Sequence, residues 1–195
     1  MPVVTALRAR NGRVAVELDG ALWRTVPGAA IVEAGLAVGL ELDRERARAI
    51  GRALRRHRAR DTAVRTLARR EHSRASLAAR LERAGVRGGD VDDVLDTAAR
   101  AGLLDDARFA VSRARALVER GAGDLLVLDD LTRHGIEDET ARAALSSVES
   151  EPVRAARIVS ARGSSARTLR YLASRGFSEE SLETLVADLE SGPLG

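Results

Sequence analysis

Arginine recurs at a helical interval between residues 44 and 55. Arg44, Arg48, Arg52 and Arg55 fall within roughly 80° of arc at 100° per residue, a stripe about 16 Å long at 1.5 Å rise. Planar guanidinium forks in such a row suit the phosphates of a nucleic acid or the carboxylates of an acidic partner. The same pattern also describes a solvated face on a connecting helix. All 32 basic residues are arginine. Without lysine there is no phosphate-binding P-loop, Schiff-base enzyme or kinase, each of which centres on a lysine amine. A coding bias toward arginine explains that count more simply than selection for bidentate contacts.

Other constellations offer little chemistry. His57, His72 and His134 have no histidine four residues away, and the chain has no cysteine, so zinc sites, disulfides and thiol nucleophiles drop out. Asp90, Asp92 and Asp93 lack the spaced ligands and terminal Glu of a calcium loop. They read instead as acids at a helix N-terminus, favoured by the macrodipole. Asp105-Asp106 reads similarly, as a cap on the helix that carries Arg108 and Phe109. No serine lies in Gly-x-Ser-x-Gly. The many carboxylates fall on polar faces with no apolar pocket to raise a pKa. No catalytic residue, cofactor site or metal site is expected.

A helix–turn–helix look at Ser73–Ala84, Gly85 and Asp90–Ala99 brings Arg80 and Arg83 into consideration for DNA. That helix is poor in the Asn, Gln, Ser and Thr that read base edges. With four aromatics in the whole chain, stacking platforms for single strands are also lacking. Sequence-nonspecific backbone contact, or contact with an acidic surface, is what these arginines support.

The elements that must position the arginines follow from composition and patterning. The 195 residues are 45% apolar and 31% charged, as in a soluble folded protein, and the core must be Ala, Leu and Val, which favours helices. No 18-residue apolar run occurs, and the N-terminus lacks the basic-then-apolar pattern of a signal peptide, so a cytoplasmic protein is expected. The net charge of +3 hides a steep gradient. Residues 1–43 carry four Arg against five acids, residues 44–87 fifteen against four, and residues 88–195 thirteen against twenty.

Val3–Arg10, Arg13–Leu18 and Ala21–Val26 read as strands joined at Asn11-Gly12 and Asp19-Gly20, two-residue turns that tolerate positive φ. A short helix over Ala29–Ala34 follows. Asp43 then caps a helix on which Ala47, Ile50 and Leu54 share a face.

From residue 61 a pattern repeats. With Gly85, Gly135 and Gly176 aligned, Leu81, Leu131 and Leu172 stand four positions before. Val86, Ile136 and Phe177 follow directly. Val94, Ala144 and Leu185 stand nine positions after. Each block is a helix, a glycine–hydrophobe turn suited to a left-handed C-cap, and a second helix. A further helix precedes each pair, at Thr62–Glu71, Ala107–Arg120 and Val153–Arg162. The expectation is a mostly α protein: three tandem three-helix repeats in an elongated array, after a small β-meander and a linking helix. The boundaries are 1–27 for the meander, 28–60 for the connector with its arginine stripe, then 61–105, 106–150 and 151–195 for the repeats.

Leu67-Ala-Arg-Arg-Glu-His-Ser-Arg-Ala-Ser-Leu-Ala-Ala-Arg-Leu81 with Gly85, then Gly102-Leu-Leu-Asp-Asp-Ala-Arg-Phe-Ala110, resembles the RecX regulatory proteins. Leu131-Thr-Arg-His-Gly-Ile136 and Arg175-Gly-Phe177 extend the resemblance over roughly residues 60–190. It implies tandem three-helix repeats and a non-enzymatic protein that lodges on the RecA recombinase filament, restraining its ATPase and strand exchange. Arg69, Arg70, Arg74, Arg80 and Arg83 match basic family positions that would face the filament or its DNA. The second repeat departs from the family's basic pattern with Asp124, Asp129 and Asp130, and the stripe of Arg44, Arg48, Arg52 and Arg55 is a candidate to supply that charge. The partners expected are therefore the RecA filament and DNA phosphates, single- or double-stranded, with the chain a monomer. The alternative is a stand-alone nucleic-acid-binding repeat protein.

Overall fold

Two dipeptides reverse the chain at its start. In the computed structural model, which describes residues 1–190, Asn11 and Gly12 take φ of 51° and 73°, and Asp19 and Gly20 take 49° and 82°. These are the left-handed conformations a tight hairpin needs. Strands β1 (Val4–Arg10), β2 (Arg13–Leu18) and β3 (Ala21–Pro27) therefore form an antiparallel meander in sequence order. One edge of β1 is covered rather than open. Val4 N–H donates to the Leu40 carbonyl at 2.9 Å, and Leu42 N–H donates to that of Pro2 at 2.8 Å.

The chain divides into two compact units, Met1–Arg70 with Ala78–Arg100, and Glu71–Leu77 with the chain from Ala101 onward. In the first, Val4, Val16 and Val26 of the sheet share a core with Ala30 of α1 (Gly28–Glu33), Leu36, Leu42, and Ile50 and Leu54 of α2 (Arg44–Leu67). Asp43 caps α2, its carboxylate accepting the Arg46 N–H at 2.6 Å.

Helix α2 differs from expectation. The connector helix and the separate helix expected over Thr62–Glu71 are one helix of 24 residues, ending at Leu67, so residue 60 lies inside it. Asp61-Thr62 could have capped a new helix. Instead the Thr62 hydroxyl donates to the Arg58 carbonyl at 2.8 Å and Asp61 pairs with Arg65 at 2.5 Å, both contacts internal to a continuous helix. The buried side changes along its length. Ile50 and Leu54 face the sheet core, whereas Ala59, Ala63 and Thr66 are buried on roughly the opposite side. Helix α2 packs on α4 (Gly89–Arg100) as well as on α1. Between α2 and α4 in the chain lies α3 (Arg74–Arg83).

In the second unit, α5 (Asp106–Glu119), α6 (Asp124–Arg133) and α7 (Asp138–Ser146) enclose a core that includes Phe109, Ala114, Val127, Leu131, Ile136 and Ala144. Helices α8 (Glu151–Arg162), α9 (Ala166–Ser174) and α10 (Glu179–Glu190) enclose another, with Ala155, Val159, Leu172, Phe177 and Leu185. Positions 191–195 of the expected third repeat lie outside the described residues.

The glycine register holds at all three turns. Gly85, Gly135 and Gly176 have φ of 86°, 71° and 79°. Val86, Ile136 and Phe177 each donate a backbone N–H to the carbonyl of the leucine five positions back, at 3.0, 3.1 and 3.2 Å. With the glycine N–H groups bonded to Glu82, Thr132 and Ala173, these are Schellman caps. Leu81, Leu131 and Leu172 are each fully buried.

A second recurrence within this unit links an acid in the first turn of one helix to the backbone that opens an earlier one. Asp106, in the first turn of α5, accepts the Arg74 N–H that opens α3 at 2.7 Å. Glu151, in the first turn of α8, accepts the Asp124 N–H that opens α6 at 2.6 Å. Arg74 and Asp124 stand at the same distance before their turn glycines. The turns close onto the same helix starts: the Ser73 hydroxyl donates to the His134 carbonyl at 2.6 Å, and Gly123 N–H to the Arg175 carbonyl at 2.8 Å.

Candidate partner-binding surface

The stripe lies on the side of α2 away from Ile50 and Leu54, and Arg44, Arg48, Arg52 and Arg55 are all exposed. None of the four guanidinium groups has a carboxylate in ion-pair distance among the described residues. Four adjacent cations without counter-charges leave a local positive potential available to an anionic partner. The stripe ends at Arg55 for a structural reason: Ala59, next on that face, is fully buried.

The arginines of the family-matching block are less uniform. Arg69 and Arg70 are exposed in the turn after α2. Arg74 is half-buried, with its backbone N–H held by Asp106. Arg80 and Arg83 are exposed on α3. Arg80 Nε donates to the Thr66 hydroxyl at 3.1 Å, and Arg83 Nε to the Ala79 carbonyl at 3.1 Å. Both contacts use Nε, and neither guanidinium has a carboxylate partner among the described residues. Arg80 is thereby tied to α2, the helix that carries the stripe.

The acids of the second repeat serve the fold. Asp129 pairs with Arg133 at 2.6 Å, one turn on. Asp130 takes a two-pronged bond from Arg113 at 2.7 and 2.8 Å, with His134 nearby. The hydrogen bond from Arg113 holds the Asp130 carboxyl below its ordinary range, against an opposing effect of burial. Asp124 pairs with Arg154, a fully buried side chain whose guanidinium also donates to the Ala122 carbonyl and lies over the Phe177 ring at 5.7 Å. Burial, together with the nearby Glu151 charge, pushes the Asp124 carboxyl up, against the pull of Arg154. Burial acts on Glu151 in the same sense, yet hydrogen bonds from Ser178, from the Asp124 N–H and from Ser181 outweigh it, so its carboxyl is held below the usual range.

Patterning along one helix did not single out three further residues. Arg56, Arg60 and Arg100 line a cleft between α1, α2 and α4 in the first unit. The available signal was the strict four-residue interval of Arg44, Arg48, Arg52, Arg56 and Arg60. Glu151 and Arg154 left no such trace, because an acid and an arginine at the start of a helix look like surface residues.

Asp105 caps α5, its carboxylate accepting the Arg108 N–H at 2.9 Å, and Asp90 and Asp92 lie in the first turn of α4. Among the described residues no group of three His, Asp or Glu is placed to hold a metal ion, and no helix is long and apolar enough to cross a membrane.

A small antiparallel sheet, followed by helix triplets with recurring Schellman turns and acid-capped joints, defines a mostly helical repeat protein with a basic face near its start. Comparison with known proteins gives the particular family. Residues 59–97 match the first three-helix domain of RecX, and residues 105–145 match the second. The regulatory protein RecX of Halorhodospira halophila is 37% identical over 150 residues, covering 70% of this chain and 93% of the relative. That of Chromohalobacter salexigens is 37% identical over 137 residues, covering 66% and 90%. A crystal structure of regulatory protein RecX superposes with a TM-score of 0.71 at 20% identity, covering 94% of this chain and 98% of the other. RecX from Lactobacillus salivarius gives 0.59 at 17%, covering 70% and 97%. At those identities the structures speak for the fold alone. The chain belongs to the RecX family of regulatory proteins.

Proposed function

We propose that this chain is a non-enzymatic, cytoplasmic regulator that binds the RecA recombinase filament as a monomer and restrains its ATPase and strand exchange. Membership of a family whose relatives are named regulatory proteins carries the reading. The RecX resemblance supplies RecA as the partner. Exposed Arg69 and Arg70, together with Arg74, Arg80 and Arg83, are the first-block residues assigned to that contact. The test is the rate of DNA-dependent ATP hydrolysis by RecA against increasing amounts of this chain. Suppression that saturates is expected; an unchanged rate at saturating protein overturns the reading.

The second reading is a sequence-nonspecific nucleic-acid-binding protein that needs no protein partner. Exposed Arg44, Arg48, Arg52 and Arg55, with no carboxylate partner among the described residues, favour it, since such cations are available to phosphates. Pull-down with RecA in the presence and absence of single-stranded DNA separates the two. Capture of RecA without DNA supports the regulator; capture only of DNA supports the alternative.

A further inference from the structure

We propose that the cleft between α1, α2 and α4 binds a phosphate group through Arg56, Arg60 and Arg100. This assignment does not depend on the RecA reading. The cleft has a volume of about 400 Å³, and Ala53, Glu33, Asp93 and Thr97 complete its lining. Three arginines from two helices thus line one concavity. Among the described residues Arg56 has no carboxylate partner. Among the described residues Arg100 reaches the Thr97 hydroxyl on its own helix, at 3.4 Å, and no carboxylate. Arg60 shares the Glu33 carboxylate with His57, each at 3.4 Å. The donors are therefore largely unspent.

Ligand class follows from donor geometry and charge. A guanidinium fork pairs with a planar carboxylate or with two oxygens of a phosphate. A carboxylate has two oxygens and satisfies one fork. The oxygens of a phosphate, arranged tetrahedrally, can engage several forks from different directions, as three arginines on two helices require. The lining has no aromatic side chain on which a base could stack. It is suited to the phosphate alone.

The cleft also ends a longer row. Arg44, Arg48, Arg52, Arg56 and Arg60 are spaced at four residues, about 6 Å of rise and 40° of turn per step. The row therefore starts on the exposed face and winds into the cleft. Regularly spaced cations suit a ligand with regularly spaced anions, so a nucleic-acid backbone is one source of the phosphate and a free phosphate compound is another.

Asp93 sets the sign of the test. It lines the cleft and its negative charge opposes an anion, so D93N should tighten phosphate binding and weaken binding of any cation. Inorganic pyrophosphate is titrated into the full chain at constant ionic strength, with the backbone amide signals of Thr97 and Arg100 followed by NMR. Saturable shifts confined to the cleft helices α1, α2 and α4 are expected. The double variant R56S/R100S should weaken them by about tenfold or more, the loss of at least one charge-assisted hydrogen bond, and D93N should strengthen them. A parallel titration with a fluorescent oligothymidylate assigns the source. If R56S/R100S weakens both ligands the phosphate comes from a backbone, and if it weakens pyrophosphate alone the ligand is a free phosphate compound. The absence of saturation in the wild-type chain overturns the proposal. So does indifference of pyrophosphate binding to R56S/R100S, or weaker binding by D93N.

Discussion

Glu151 Oε1 accepts the backbone N–H of Asp124 at 2.6 Å, from a side chain that is only 4% exposed. Its other oxygen takes the Ser178 N–H at 3.1 Å and the Ser181 hydroxyl at 2.7 Å. One carboxylate thus satisfies donors at the starts of both α6 and α10, where helix dipoles favour negative charge. Removing it strands several buried donors at once. E151A should lose about 3 kcal/mol or more of stability in urea unfolding. Asp106 makes the corresponding bond to Arg74 from a less buried position, and D106A should lose about 1 kcal/mol, an ordinary cap. Equal losses would mean that Glu151 acts as a simple cap.

The three turn glycines should separate under substitution by alanine. At Gly85 a Cβ would meet nothing within 4 Å, so G85A pays only for its left-handed backbone, about 1–2 kcal/mol. At Gly135 a Cβ would lie 2.4 Å from the Cβ of Ala75, and at Gly176 it would lie 2.7 Å from the Leu126 backbone nitrogen. G135A and G176A should therefore exceed G85A by about 1 kcal/mol or more, as overpacking adds to strain. Thermal unfolding of the three variants checks the order.

Leu81, Leu131 and Leu172 are equivalent, fully buried positions, and each change to Ala should cost about 2–5 kcal/mol. Values below about 0.5 kcal/mol at all three, the range of surface positions, would contradict that equivalence.

That leucine register was readable from sequence because helix periodicity and a glycine with positive φ are local properties. The hairpins at Asn11-Gly12 and Asp19-Gly20 were readable for the same reason. The fusion of connector and first helix into α2 was not, because Asp61 and Thr62 carry a cap's chemistry and only the surrounding packing decides whether they use it. The stripe of Arg44, Arg48, Arg52 and Arg55 was legible on one helix. The cleft of Arg56, Arg60 and Arg100 needed α2 and α4 to be placed side by side. The joints needed a partner 27 residues away, as between Asp124 and Glu151, and no periodicity announces such a contact.

Stability should fall on acidification through two carboxylates. Asp130 and Glu151 are held below their ordinary range in the folded chain, so the stability they add is present above the unfolded carboxylate pKa, about 4, and is lost as pH falls through the depressed folded values. Asp124, pushed up by burial and by Glu151, works in the opposite sense, its contribution being present at low pH and lost as pH rises through the raised value. D130N should therefore flatten the acid limb of a stability–pH profile, and D124N should steepen it. An acid limb unchanged by D130N would contradict the role given to the Arg113 pair.

The arginines of α2 and of the first family block should affect the RecA reaction differently. The stripe is exposed and unpaired, and its charges act over a Debye length of about 8 Å at physiological salt. Such charges steer encounter more than they fix a bound state. Changing Arg44, Arg48, Arg52 and Arg55 together to Ser should slow association and flatten its salt dependence, with circular dichroism unchanged because none of the four supports the core. Arg69, Arg70 and Arg74 lie instead in the block that matches the first RecX three-helix domain. Their replacement by Ser should weaken suppression of RecA ATP hydrolysis more than the stripe variant does, at both low and high salt, since a docked contact is screened less than an approaching one. R74S keeps the backbone N–H that Asp106 accepts, so the joint itself survives the change. The measurement is ATPase rate against added protein at two salt concentrations, alongside association rates by stopped flow. Stripe variants indistinguishable from wild type in both would make the stripe a solvated face, and a block variant that suppresses normally would place the filament contact elsewhere.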